Sequence, residues 1–252
     1  MSRESVLQQF GANAASYTTS ETHAKGASLG RLRDLIQAQA HWQVLDIATG
    51  TGHTAFTFAP HVSRVTATDI TPEMLAQAEA LAIQKGLDNI VFETVDSGDL
   101  PFAEASFDLV SCRIAPHHFP DCAQFIREVA RVLKSGGLLA VVDNIVPPGI
   151  VGDYINAFEK LRDPSHERCL SQEEWLELFT QARLEITHHE TLRKRLDFQF
   201  WAQRHHPIMQ NYLRALLLEG GSRVSAFLQP ETNNGQLSFA LVEGIVIGQK
   251  AA

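Results

Sequence analysis

Val44–Ala55 reads VLDIATGTGHTA, and no other stretch limits the fold as strongly. A short strand pattern, Val44–Ile47, runs into a turn with glycine at 50 and 52, and a helical pattern follows. Glycine lets the backbone enter the left-handed region and lets a ligand approach where no Cβ intervenes. The helix behind such a turn presents N–H groups and the positive end of its dipole. A strand, glycine turn and helix in that order open a β-α layer whose ligand lies at the carboxyl end of the strand.

The chain downstream keeps that alternation. Ala27–Gln39 leads as a helix, with Leu29, Leu32, Leu35 and Ile36 on one face. Ser63–Asp69 is rich in β-branched residues and reads as the second strand. The next helix has Thr71 as its cap, Pro72 in its first position, Glu73 at its positive end and Gly86 at its stop. Ile90–Val95 and Phe107–Cys112 read as strands three and four. A helix carrying Phe125, Ile126, Val129, Val132 and Leu133 stops at Lys134–Gly137, and Leu138–Val142 is strand five. Strands alternating with helices predict an α/β fold with a doubly wound, largely parallel sheet.

After Pro147-Pro148 the pattern turns helical and irregular. Ser171 and Glu174 form a capping box, with Trp175, Leu178, Phe179 and Ala182 behind it at helical spacing. Leu184–His188 is a sixth strand, Pro207–Glu219 a helix, and Leu237–Ile247 a last strand paired antiparallel at the sheet's edge. The chain divides into an N-terminal segment with its helix (1–40), a Rossmann-like ligand-binding core (41–148), and a helical cap with the final strands (149–252), all in one domain.

The bulk numbers exclude several classes. At 252 residues with 44% hydrophobic and 20% charged residues, an ordinary globular domain is expected. A net charge of -8 argues against nucleic acid as a partner, because that binding rests on phosphate neutralisation. The N-terminal residues lack signal-peptide character, and no apolar run has the length of a membrane span. Three cysteines without a CxxC pair fit reduced thiols and a cytoplasmic location.

Gly50-Thr51-Gly52 with Ala55 fits G-x-G-x-x-A, which leaves two readings. One seats a dinucleotide pyrophosphate on the helix. The other seats an amino-acid-like ligand, its ammonium near Asp46 and its carboxylate near backbone N–H groups. Asp46 stands where a dinucleotide enzyme usually carries an apolar residue, which favours the second. Asp69 ends strand two, where a carboxylate can accept both hydroxyls of a ribose or, more blandly, make an Asx turn into Thr71-Pro72. Asp96-Ser97 follows strand three, where a carboxylate can accept from the exocyclic amine of an adenine or simply serve the turn. Asp46, Asp69 and Asp96 would face one crevice.

VLDIATGTG (44–52), VTATDITPEML (65–75), VDSGDLPF (95–102), ASFDLVSCRIAPHHFPD (105–121) and REVARVLKSGGLLAVVDN (127–144) come in order and at fixed spacing. Together they resemble the class I S-adenosylmethionine-dependent methyltransferases, in particular the small-molecule group that includes the ubiquinone/menaquinone methyltransferases. The resemblance covers roughly residues 20–145. It implies a seven-stranded sheet with a reversed edge strand, and S-adenosyl-L-methionine as cofactor. Asp46, Ala48, Thr49, Gly50 and Gly52 would then hold the methionine portion. Asp69 would hold the ribose, Ile70 and Met74 would lie against the adenine, and Asp96 and Ser97 would meet its edge. Arg113 would pair with the cofactor carboxylate, or form a surface ion pair. In relatives the N-terminal segment folds over the cofactor as a lid, which places Tyr17 and His23 there. His53 departs from the acidic or small residue of relatives.

The partner implied is a small-molecule methyl acceptor. His117 and His118 follow strand four, near where the methyl group would lie, and His117 is the candidate general base. Asp143 and Asn144 end strand five and would face the same crevice. Phe158, Trp175, Phe198, Phe200 and Trp201 would line an acceptor cavity or form the core of the cap. The basic residues of Leu192–His206 read as a solvated face, with an anionic substrate or RNA as the alternative ligand. Cys112 and Cys122 read as buried, inert thiols, and the histidine spacing implies no metal site. These residues do not select among O, N, S and C acceptors. An NAD(P)-dependent oxidoreductase and a non-catalytic S-adenosylmethionine-binding protein are the alternatives.

Overall fold

The structure, a computed structural model, describes residues 26–251 together with Leu7, Phe10 and Gly11. Among these, helix α1 (Ala27–Leu35) precedes strand β1 (Gln43–Ile47), helix α2 (His53–Phe58) and strand β2 (Arg64–Asp69). Helix α3 (Pro72–Lys85), strand β3 (Ile90–Thr94), strand β4 (Phe107–Arg113), helix α4 (Cys122–Val132) and strand β5 (Leu133–Ile145) follow. The cap brings helices α5 (Ile150–Arg162) and α6 (Gln172–Gln181), strand β6 (Leu184–Asp197), and helices α7 (Phe198–Ala202), α8 (Pro207–Glu219) and α9 (Ser222–Leu228). Strand β7 (Glu231–Asn233) turns into strand β8 (Gln236–Lys250).

The sheet order is β3-β2-β1-β4-β5-β8-β6, with β7 added against β8. Strands β1 to β5 pair in parallel, and β8 runs antiparallel to both β5 and β6. The doubly wound α/β class is as the sequence predicts. The reversed strand, however, lies one place in from the edge, and β6 takes the edge. With β7 the sheet has eight strands rather than seven.

Helix punctuation explains most boundaries. Gly86 ends α3 in the left-handed region (φ 67°), and Ser171 with Glu174 caps α6 reciprocally. Thr71 makes no side-chain cap to α3; its own N–H goes to the Asp69 carboxylate at 2.9 Å. The Asx turn is therefore formed, and it launches the helix. The Lys134–Gly137 stop is displaced too: α4 ends at Val132 and these residues already belong to β5. A shift in register between Phe107 and Leu109 absorbs them, with Gly136 at φ 75°.

Apolar residues cover both faces of the sheet. Phe125, Ile126, Val129 and Val132 of α4, with Trp175 and Phe179 of α6, fill one side. Leu32, Ala55, Phe58, Ala78 and Ala82 fill the other. The cap has its own core, in which the Phe158 and Trp201 rings stack at 4.9 Å and Phe239 meets Trp201 edge-on at 5.1 Å. The cap aromatics are therefore core, except Phe200, which is exposed. Burying each such ring contributes roughly 2–3 kcal/mol. Among the described residues no helix is long and apolar enough to cross a membrane.

Candidate functional site

Strand order reverses between β1 and β4, since β1 leads outward to β2 and β4 to β5. Loops leaving the carboxyl ends of these two strands diverge to opposite faces and leave a crevice between them. A cavity opens there, lined by Ala48–Thr51, Asp69–Thr71, Met74, Val95–Ser97, Arg113–Ala115 and His118–Pro120, together with Phe10 and Glu167.

Both strand ends are bent into the opening. Ala48 (φ 51°) and Ile114 (φ 54°) hold left-handed backbone despite carrying a Cβ. Such positions cost about 1–2 kcal/mol each and concentrate at ligand sites. Gly52 (φ 90°) closes the turn against α2, and a Cβ there would overlap the Phe56 ring. Only glycine fits.

Three of the turn's N–H groups are used within the protein. Thr49 donates to the Thr68 carbonyl at 2.8 Å, Gly52 to the Thr49 carbonyl at 2.9 Å, and Gly50 to Asp69 Oδ2 at 2.9 Å. Thr51, His53 and Thr54, at the end of the turn and the start of α2, also line the cavity.

The three acidic strand ends differ in kind. Asp69 lines the cavity and is nine-tenths buried; burial raises its carboxyl above the usual range, against the N–H groups of Thr71 and Gly50. Asp96 also lines the cavity and accepts the Gly98 N–H at 2.7 Å. Asp46 does not reach the cavity. It is buried beneath the turn, accepting Thr49 Oγ1 at 2.6 Å and Ser111 Oγ at 2.7 Å, and burial lifts its pKa to about 6. Its expected meeting with a ligand ammonium gives way to a bracing role for β1 and β4.

Ala48, Thr49, Gly50, Ile70, Met74, Ser97 and Arg113 all line the cavity, whereas Gly52 stands behind it. Arg113 is not a surface ion pair. It is buried, donates to Ser28 Oγ at 3.4 Å, and lies in the field of Glu243 and Asp46. Glu243 is paired with Lys194 at 2.6 Å.

The histidines separate. His118 forms part of the cavity wall; His117 lies behind it, buried, with Nδ1 2.6 Å from Asp143 Oδ1. Burial holds His117 down at about 4 and pushes Asp143 up to about 8, so the pair favours its uncharged form. The two rings lie 4.1 Å apart, and His166 adds a third at 5.5 Å from His117. Asn144 does not line the cavity. Tyr17 and His23 lie outside the described residues. Phe10, Phe119, Pro120 and Glu167 are wall residues to which the sequence alone assigns no role. Phe119 and Pro120 continue the strand-four motif, a signal that was present; Glu167 enters from the α5–α6 connection with none. Among the described residues no group of acidic, histidine or cysteine side chains can hold a metal ion.

Residues 38–191 match the family described as "Methyltransferase domain". The uncharacterized methyltransferase YcgJ of Bacillus subtilis is 36% identical over 196 residues, 77% of this chain and 78% of that protein. Its crystal structure superposes with a TM-score of 0.85 at 32% identity, covering 89% of this chain and 98% of that one. The ubiquinone/menaquinone biosynthesis C-methyltransferase UbiE of Bdellovibrio bacteriovorus is 41% identical over 108 residues, 42% of this chain and 46% of that protein. Neither the oxidoreductase nor the non-catalytic alternative gains support from these relatives.

Proposed function

Because the chain belongs to the methyltransferase-domain family and is an S-adenosylmethionine-dependent methyltransferase, we propose that the cavity between β1 and β4 is its donor site and that a small organic acceptor enters beside the cap. The observation that carries this reading is Asp69. Each of its oxygens accepts one backbone N–H, and a carboxylate can accept about four hydrogen bonds. The remaining capacity of this buried group, on the cavity wall, suits the two hydroxyls of a ribose.

The other wall residues fit the rest of that donor. Ile70 and Met74 offer apolar contact to a flat base, and Asp96 an acceptor to its amine. Arg113, at the strand end next to Ala48, suits the amino-acid carboxylate as a partner. When bound, the donor supplies a methyl group activated on a sulfonium. The protein's contribution is chiefly alignment, which can be worth several kcal/mol in a two-reactant displacement. Three free cysteines suit a reducing cytoplasm, and the formal charge of -8 suits a small molecule over nucleic acid. Calorimetry with S-adenosylmethionine and with NAD tests the site. Binding of the first is expected; binding of NAD alone would overturn it.

A further inference from the structure

His118 is the histidine of the strand-four motif that reaches the cavity. Its Nδ1 lies 3.0 Å from the Ser165 carbonyl oxygen, which can only accept. The proton of the neutral ring must therefore sit on Nδ1, and the lone pair on Nε2. Burial, with the neighbouring His117 adding to it, holds the ring neutral, its pKa lowered to about 4. Two carboxyl groups oppose that shift. Asp163 accepts Ser165 Oγ at 2.5 Å and the Ser165 N–H at 3.0 Å, so it fixes the carbonyl that fixes the ring. Asp143 acts from the other side, through space. Among the described residues, His166 also feels the His118 ring through space, and Glu167 shares the cavity wall with it.

Resting on the donor-site reading above, we propose that His118 Nε2 takes the proton of the methyl acceptor, and that the acceptor is a neutral, phenol-type hydroxyl on an apolar body. The walls choose that class. Phe10 meets the His118 ring edge-on at 5.0 Å, and Ala115, Phe119 and Pro120 extend the apolar surface. An apolar wall of this kind disfavours a charged body, and the cationic donor opposes a cationic acceptor.

The step balances. The acceptor's O–H bond breaks and its proton goes to Nε2. Its electron pair forms the new O–CH3 bond, and the pair of the broken S–CH3 bond stays on sulfur. The positive charge leaves the sulfonium and ends on the imidazole, so the buried site keeps its net charge throughout. That conservation allows a ring with so low a resting pKa to act as base: it is asked to ionise only as the sulfonium disappears. His117 and Asp143 are positioning residues behind it.

The test needs no turnover. Calorimetry with S-adenosylhomocysteine first checks the donor site; no binding overturns that reading, and this one with it. The enzyme saturated with S-adenosylhomocysteine is then titrated at pH 6.5 with para-substituted phenols running from 4-methylphenol to 4-cyanophenol. Affinity is expected to rise several-fold with phenol acidity, and the trend is expected to vanish in His118→Asn, whose amide keeps a donor for the Ser165 carbonyl. A flat series in the wild type, or no phenol binding to a complex that does hold S-adenosylhomocysteine, overturns the His118 assignment alone. Should the variant fail to fold, nitrogen-15 spectra of the wild type decide: Nδ1 protonated and Nε2 bare supports the assignment, and the opposite tautomer overturns it.

Discussion

The Asp69 carboxylate accepts the Gly50 N–H at 2.9 Å, so the end of β2 and the glycine turn after β1 form one hydrogen-bonded unit. Its other oxygen starts α3 through Thr71. One side chain thus shapes the turn, launches a helix and faces the cavity. Asp69→Ala is expected to weaken S-adenosylmethionine binding by about 1.5–3 kcal/mol, the range for hydrogen bonds to a charged group. Asp69→Asn is expected to keep more of the turn while still losing affinity. Calorimetry checks both, and unchanged affinity in a folded Ala variant would refute the ribose assignment.

The pair of Asp143 and His117 predicts a pH dependence of stability. Burial raises Asp143 to about 8 from its ordinary 3.8, so the folded state holds a proton that the unfolded state releases. The stability this proton confers is complete below the unfolded pKa and is lost as pH rises through about 8. His117, held at about 4 against 6.5, has the opposite slope, but its contribution ends near pH 6.5. Between pH 6.5 and 8.5 the Asp143 slope therefore stands alone within the pair. The wild type is expected to lose on the order of 1–2 kcal/mol over that window, and Asp143→Asn to lose much less. Urea titrations at the two pH values measure the difference.

Gly52 yields a sharper structural prediction. Its φ of 90° and the overlap of the Phe56 ring with any Cβ at this position act together in Gly52→Ala. Left-handed backbone costs about 1–2 kcal/mol and overpacking about 1–3 kcal/mol, so a total loss of roughly 2–5 kcal/mol is expected. Gly52→Ala with Phe56→Leu should recover only the packing part. Full recovery of the melting temperature in the double variant would show that the backbone conformation carries no cost.

Much of this arrangement was legible in the residues. Asp69 could be placed at a strand end because β-branched residues precede it and Thr71-Pro72 follows, and both signals act within a few residues. Strand β6 was read as five residues and is fourteen, because it lies at the sheet's edge. Its polar residues have little burial to pattern them, and only the register against β8 holds them extended. Lys134–Gly137 looked like a helix stop, yet pairing with β4 draws those residues into the sheet. Asp46 was misplaced for a related reason. Sequence puts it at the strand end, but only the approach of Ser111 from β4 decides that it points down into the protein. Glu167 and Phe10 reach the cavity from distant segments, and no local pattern marks them.

The same burial governs the thiols. Cys112 and Cys169 are buried, and Cys122 contacts the Pro116 carbonyl at 3.5 Å with its pKa pushed up to about 12 by burial, with Asp143 and Asp121 adding to it. A thiol reacts as its thiolate, so at pH 8 the thiolate fraction of Cys122 would be on the order of one in ten thousand by that pKa. The native protein is expected to leave all three cysteines unmodified by a thiol-disulfide reagent over minutes at pH 8, and urea to release all three together. Rapid labelling of Cys122 in the folded enzyme would contradict the burial argument, and would reopen thiol chemistry beside the Phe119-Pro120 wall of the cavity.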